Sequence, residues 1–281
     1  MIDLPTPLVS TAWLADNLGK PGLKLFDASY YLPAEKRDAE AEFAAAHIPG
    51  ARRFDIDRIS DPDTDLPHMV PSPFRFEKLV GALGIGNDDA VVFYDQKGVF
   101  SAPRGWWLMN LFGHTRAAVL NGGLPQWTAE ARPTEAGEPP PAAPGKFTAR
   151  FRPALLRGIG DLRANLADPC EQVLDARSAD RFHARVPEPR PGLRGGHIPG
   201  ACNLPFNELL DGPMLLPPAQ LRERFAAVGI DGSCKVVTSC GSGVSAAVLT
   251  IAMVAAGLPM GALYDGSWTE WGFATDLPAA P

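Results

Sequence analysis

The four cysteines, Cys170, Cys202, Cys234 and Cys240, form no Cys-x-x-Cys pair and show no zinc-ligand spacing with the five histidines. A zinc ribbon and a dithiol redox motif are therefore excluded, and no metal site is expected. A stretch of apolar residues long enough for a bilayer is also lacking: the longest mostly apolar run, residues 244–257, reads as a buried helix. The chain opens Met1-Ile2-Asp3-Leu4-Pro5, with an acid and a proline where an export segment has a basic start and an apolar run. Sparse, unpaired cysteines without an export signal point to the reducing cytoplasm, where a thiol is free for chemistry. Basic charge is not in excess either. The formal net charge of -6 over 281 residues argues against nucleic acid or a membrane surface as partner. It leaves room for a small anion held by a few local arginines.

What the sequence does contain is a repeat. His47-Ile48-Pro49-Gly50-Ala51 recurs as His197-Ile198-Pro199-Gly200-Ala201, and an apolar run ending in Asp-Ala precedes each copy, at Asp27-Ala28 and at Asp175-Ala176. Downstream, Val91-Val92-Phe93-Tyr94-Asp95 is answered by Val236-Val237-Thr238-Ser239-Cys240. Last, Leu120-Asn121-Gly122-Gly123-Leu124-Pro125-Gln126-Trp127 is answered by Tyr264-Asp265-Gly266-Ser267-Trp268-Thr269-Glu270-Trp271. The offsets stay between 144 and 150 residues and the order is kept, the mark of a tandem duplication. Proline-rich residues 132–146 cannot hold a helix and read as an extended linker, which predicts domains over 1–131 and 147–281. Within each copy short β-rich runs alternate with helical patterns, such as Phe76, Val80 and Leu83 or Leu221, Phe225 and Val228 on one face. The expected fold is α/β: two tandem domains, each a mainly parallel sheet flanked by helices.

The chemistry is expected at Cys240. Residues 235–239 read as a buried strand and 245–256 as a helix, so Cys240-Gly241-Ser242-Gly243-Val244 forms a tight loop at a strand's carboxyl end. Glycines let such a loop turn its amides inward, and with the helix N-terminus they make an anion cradle that favours a nucleophilic thiolate. Competing readings fare worse. A phosphate-binding P-loop needs Gly-Lys-Ser/Thr next, and a phosphatase loop needs arginine where Ala246 stands. Cys170, Cys202 and Cys234 have no comparable setting and read as small apolar residues.

The duplication together with Cys240-Gly241-Ser242-Gly243-Val244-Ser245-Ala246 resembles the rhodanese superfamily, and within it the 3-mercaptopyruvate sulfurtransferases, over about residues 8–271. Thiosulfate-using relatives typically have basic residues after the cysteine, whereas this loop is neutral; Asp95 replaces the cysteine in the first half, which resembles the family's inactive copy. The resemblance implies an enzyme that needs no metal or other cofactor. It would carry sulfur from a small-molecule donor, 3-mercaptopyruvate, as a persulfide on Cys240, then to a thiol such as thioredoxin or a small thiol, or to cyanide. It also implies that Gly241, Gly243, Val244 and Ser245 line the substrate and that Arg181 and Arg190 bind its carboxylate. Ser242, His68 and Asp57 are implied as a hydroxyl, imidazole and carboxylate relay across the two domains. His47 and His197, present in both halves, are expected to serve the fold. Two alternatives remain: thiosulfate as donor with cyanide as acceptor, and a silent module that offers an anion pocket to a protein.

Overall fold

The two Asp-Ala runs become equivalent strands of two separate sheets. In the computed structural model, which describes residues 2–281, the first half contributes β1 (Leu8–Val9), β2 (Leu23–Asp27), β3 (Arg52–Arg53), β4 (Ala90–Tyr94) and β5 (Ala117–Leu120). They lie in the order β1-β5-β4-β2-β3, every neighbouring pair parallel. The second half contributes β6 (Leu156–Arg157), β7 (Glu171–Asp175), β8 (Cys202–Asn203), a separate two-stranded ribbon of β9 (Leu210–Asp211) and β10 (Met214–Leu215), then β11 (Lys235–Ser239) and β12 (Ala262–Tyr264). Its five-stranded sheet is again parallel, in the order β6-β12-β11-β7-β8. The register is repeated as well: Asp27 sits beside Tyr94, and Asp175 beside Ser239.

Helices cover both faces of each sheet, which is why the central strands read as unbroken apolar runs. The first half holds α1 (Thr11–Asn17), α2 (Ala39–Ala45), α3 (Ile56–Ile59), α4 (Pro73–Ala82), α5 (Ala102–Leu111) and α6 (Gly123–Ala129). The second holds α7 (Ile159–Ala167), α8 (Ala179–Phe182), α9 (Pro218–Ala227), α10 (Ala246–Ala255) and α11 (Ser267–Phe273). Leu25, Val92, Tyr94, Ala118 and Leu120, alternating along their strands, pack with Leu14, Phe43 and Trp127 on one face. Their counterparts Val173, Val237, Ala262 and Tyr264 pack with Leu162, Trp268 and Trp271. On the opposite face α5 presses so closely on β4 that a side chain at Gly105 would start 2.7 Å from the Phe93 ring. The repeated histidines are part of these cores. His47 stacks on Phe43 and bonds its carbonyl through Nδ1 at 2.9 Å; His197 does the same with Phe182 at 3.0 Å.

By contact the chain divides into one unit of residues 2–62, 71–152 and 211–215 and another of 63–70, 153–210 and 216–281. Residues 132–146 contain no helix and follow the first unit, tied to it by the His47–Glu135 bridge, by Arg52 donating to the Pro140 carbonyl, and by Gly145 N–H donating to Gly81 O at 2.8 Å. Residues 63–70, which precede α4 in sequence, group with the second unit and bring His68 with them.

The carboxyl ends of β4 and β11 are where the two halves part. Beyond β4, the buried Asp95 accepts from four main-chain amides: Lys97 at 3.0 Å, Phe100 at 2.8 Å, and Ser101 and Ala102 at 2.9 Å. Burial raises this carboxyl above the ordinary aspartate value, while the four amides pull it down. A loop whose amides all point inward is thus closed by a side-chain anion of its own. Asp95→Ala would leave those donors buried without an acceptor, and we expect it to destabilise the first unit by about 3–5 kcal/mol. Urea unfolding measures this; an unchanged midpoint would mean that the amides are satisfied without the carboxylate.

Candidate active site

The chain leaves the second sheet at Cys240, which is buried, 1 % exposed, between β11 and α10. Its sulfur accepts from the Gly243 N–H at 3.1 Å. Gly243 has φ +78°, a left-handed conformation that favours glycine and turns its amide toward the sulfur. Of the other loop residues, Ser242 and Val244 are buried, and Ser245 immediately precedes α10. From the opposite side the start of α11 holds the cysteine: Ser267 Oγ accepts from Cys240 N–H at 3.1 Å, Trp268 N–H donates to Cys240 O at 2.9 Å, and Thr269 donates to Gly241 O through both its amide and its hydroxyl. Sequence reasoning missed Ser267 and Thr269. The signal available was the alignment of Ser267 with Gly123.

His68 joins the site within the second unit. It is buried with φ +62°, a conformation that costs a residue bearing a Cβ about 1–3 kcal/mol. Its Nδ1 lies 3.1 Å from the main-chain carbonyl of Ser242. A carbonyl only accepts, so Nδ1 is the donor in this bond. The ring is therefore anchored through the Ser242 backbone. Two residues on, Val70 N–H donates to Asp265 Oδ2 at 2.6 Å, which fastens the same segment beside α11. Asp57 belongs to the first unit, where it stands exposed in the first turn of α3.

The two predicted arginines have different surroundings. Arg181, in α8, lies against the loop: a side chain at Gly241 would start 3.2 Å from its Nη2. It is also paired, with Nη2 2.5 Å from Glu188 Oε2. Glu188 is buried and takes a second guanidinium, Arg177 Nη1 at 2.9 Å, while Arg177 makes a further pair with Asp175 at 2.7 Å and stacks over Trp268. Burial works against the Arg177 charge, but Asp175 and then Glu188 outweigh it and hold the group above its ordinary value. This network of two arginines and two carboxylates, buried except at Arg181, fixes the segment after β7 beside the cysteine loop. Glu188 was not foreseen as the partner of Arg181. Arg190, half-buried, makes no side-chain hydrogen bond or ion pair with a described residue.

A doubled parallel α/β unit, with a buried cysteine facing a main-chain amide at a strand's carboxyl end in one copy and a carboxylate at the same position in the other, defines the class of protein. The chain belongs to the rhodanese family: the profile of the rhodanese-like domain matches residues 10–130 and 159–274. It is 42% identical to the mitochondrial thiosulfate/3-mercaptopyruvate sulfurtransferase 1 of Arabidopsis thaliana, over 97% of this chain and 77% of that one. It is 40% identical to the 3-mercaptopyruvate sulfurtransferase of Escherichia coli K12, over 98% of each. The crystal structure of SseA from Escherichia coli superposes with a TM-score of 0.85 at 36% identity, covering 94% of this chain and 99% of that one. No helix among the described residues is long and apolar enough to cross a membrane.

Proposed function

We propose that this protein is a cytoplasmic sulfurtransferase that takes sulfur from 3-mercaptopyruvate onto Cys240 and hands it to a thiol, thioredoxin or a small thiol, or to cyanide. The observation that carries this reading is Cys240 Sγ at the carboxyl end of β11, facing the Gly243 amide in a loop without a charged side chain. The thiolate attacks the donor's sulfur, the carbon–sulfur bond breaks, and its electron pair leaves as the enolate of pyruvate, which takes up a proton. Cys240 then holds a persulfide, whose charge faces the amides as the thiolate's did. An acceptor thiolate attacks the outer sulfur and returns Cys240 to its starting state. A neutral loop suits a donor whose charge sits on a carboxylate away from the sulfur. Thiosulfate, a compact dianion, calls for cations beside the cysteine.

In this reading Arg190 is the main carboxylate ligand, because it has no internal partner, and Arg181, shared with Glu188, flanks the loop. Ser242, His68 and Asp57 act as a hydroxyl, imidazole and carboxylate relay that delivers the proton to the leaving enolate. Gly241, Gly243, Val244 and Ser245 shape the wall against which the donor lies.

Incubation with 3-mercaptopyruvate should add one sulfur to Cys240 with release of one pyruvate, as read by intact and peptide mass, and thiosulfate should load it more slowly. Cys240→Ser should take up none. Sulfur mapped to Cys170, Cys202 or Cys234 would reject the assignment, and faster loading from thiosulfate would reject the donor. For Arg190→Ala we expect a loss of about ten- to a hundredfold in kcat/KM for mercaptopyruvate, larger than for Arg181→Ala. Wild-type kinetics in Arg190→Ala would put the carboxylate elsewhere. His68→Ala should slow persulfide formation from mercaptopyruvate by about ten- to a hundredfold and spare formation from thiosulfate, whose leaving sulfite needs no proton. Equal losses with both donors in single-turnover kinetics would take His68 out of the proton transfer.

A further inference from the structure

Ser267 occupies a position that steric rules assign to glycine. It is fully buried and has φ +50°, in the left-handed region that a residue with a Cβ avoids. The duplication supplies its control. Gly123, the matching residue of the first half, has φ +53° and, like Ser267, is the first residue of its helix. There glycine is required, because a Cβ would lie 2.2 Å from the Asp95 carbonyl oxygen and 2.6 Å from that of Gly98. The main-chain bond that follows is the same in both halves: Leu124 N–H donates to Asp95 O at 3.1 Å, and Trp268 N–H to Cys240 O at 2.9 Å. What distinguishes the half with the cysteine is a side chain kept where glycine would be free of strain.

The hydroxyl of that side chain is fully used. It donates to the Tyr264 carbonyl at 2.8 Å, accepts from the Cys240 N–H at 3.1 Å, and stands 4.0 Å from the Cys240 sulfur. With the Cys240 carbonyl taken by Trp268, both main-chain groups of the cysteine are tied to the first turn of α11. This fixes the direction of its Cα–Cβ bond and so the line from the sulfur to the Gly243 amide. We infer that Ser267 is a positioning residue for the nucleophile, one that trades backbone strain for the aim of the sulfur. The inference rests on Cys240 being the sulfur carrier.

Two substitutions in the full chain separate aim from strain. Ser267→Gly and Ser267→Ala lose the same hydroxyl, but glycine relieves the left-handed φ and alanine does not. We expect Ser267→Gly to keep or raise the wild-type melting temperature and Ser267→Ala to lower it. In both, persulfide formation in a single turnover and kcat with 3-mercaptopyruvate should fall by about ten- to a hundredfold. KM should stay at the wild-type value, because Ser267 reaches the cysteine and not the donor. A folded Ser267→Gly with wild-type kcat overturns the inference, as does a rate loss confined to the alanine variant, which would trace it to strain. A Ser267→Gly protein that melts early or does not fold would make the serine purely structural and overturn it too. If Cys240 is not the carrier, the wild-type protein itself gains no sulfur there. A failure of the Ser267 inference alone leaves wild-type loading intact.

Discussion

A turn at the end of a parallel strand that points main-chain amides at one side chain favours an anion there, and this protein places Asp95 at that position in one half and Cys240 in the other. Main-chain donors buried without an acceptor are costly, so an acceptor at that position is favoured. In the first half Asp95 supplies it permanently, with four amides on one carboxylate. In the second half the atom facing the amide of Gly243 is a sulfur, which on the proposed reading carries the transferred sulfur. The same strand, turn and helix hold a buried carboxylate in one copy and, on the proposed reading, the sulfur carrier in the other. The two sheets share the same strand order and the same register of their central strands.

The Cys240 loop is held from several directions. Ser267 and Thr269 grip the cysteine and Gly241 from α11, and the Arg177, Arg181, Asp175 and Glu188 network fixes the chain on the α8 side. His68 reaches the loop from a segment that precedes α4 in sequence and carries a left-handed backbone. Left-handed residues with side chains recur there, at His68 and Ser267, whereas the first half uses Gly123 at the position matching Ser267. Lys36, Ala131 and Ala184 also have left-handed backbones away from the loop, so the strain at His68 and Ser267 is local to each residue.

The parts of this arrangement that depend on local pattern could be read from the chain. The repeated His-Ile-Pro-Gly-Ala, the Asp-Ala strand ends and the Cys240 loop each declare themselves within a few residues, and the register of β7 with β11 repeats that of β2 with β4. What could not be read depends on which partner a side chain meets across many residues. Arg181 reads as a free cation, and only the fold shows that Glu188 shares it with Arg177. His68 reads as one member of a side-chain relay, yet its Nδ1 meets a main-chain carbonyl, a group that any residue at position 242 would supply. Residues 63–70 belong by sequence order to the first copy and by contact to the second unit; sequence order carries no information on that choice. Ser267 was legible in principle, since a serine aligned with a left-handed glycine is a local conflict.

The charge arithmetic of the site bears on the donor. Around the cysteine loop, the guanidiniums of Arg177 and Arg181 are matched by the carboxylates of Asp175 and Glu188, so this network is neutral as a whole. The residues of the loop itself, 241 to 245, carry no charge. On the proposed reading one cation, Arg190, is left over, which is what a monoanionic carboxylate needs and half of what a dianion needs. A carboxylate bound by Arg190 also keeps its charge apart from the sulfur, so the incoming thiolate of Cys240 meets a neutral atom. With thiosulfate the donor's charge sits next to the sulfur under attack, and nothing in the loop offsets the repulsion. On the proposed reading the preference for a carbon-bound sulfur follows from where the buried carboxylates are placed, since each carboxylate beside an arginine withdraws that arginine from the substrate.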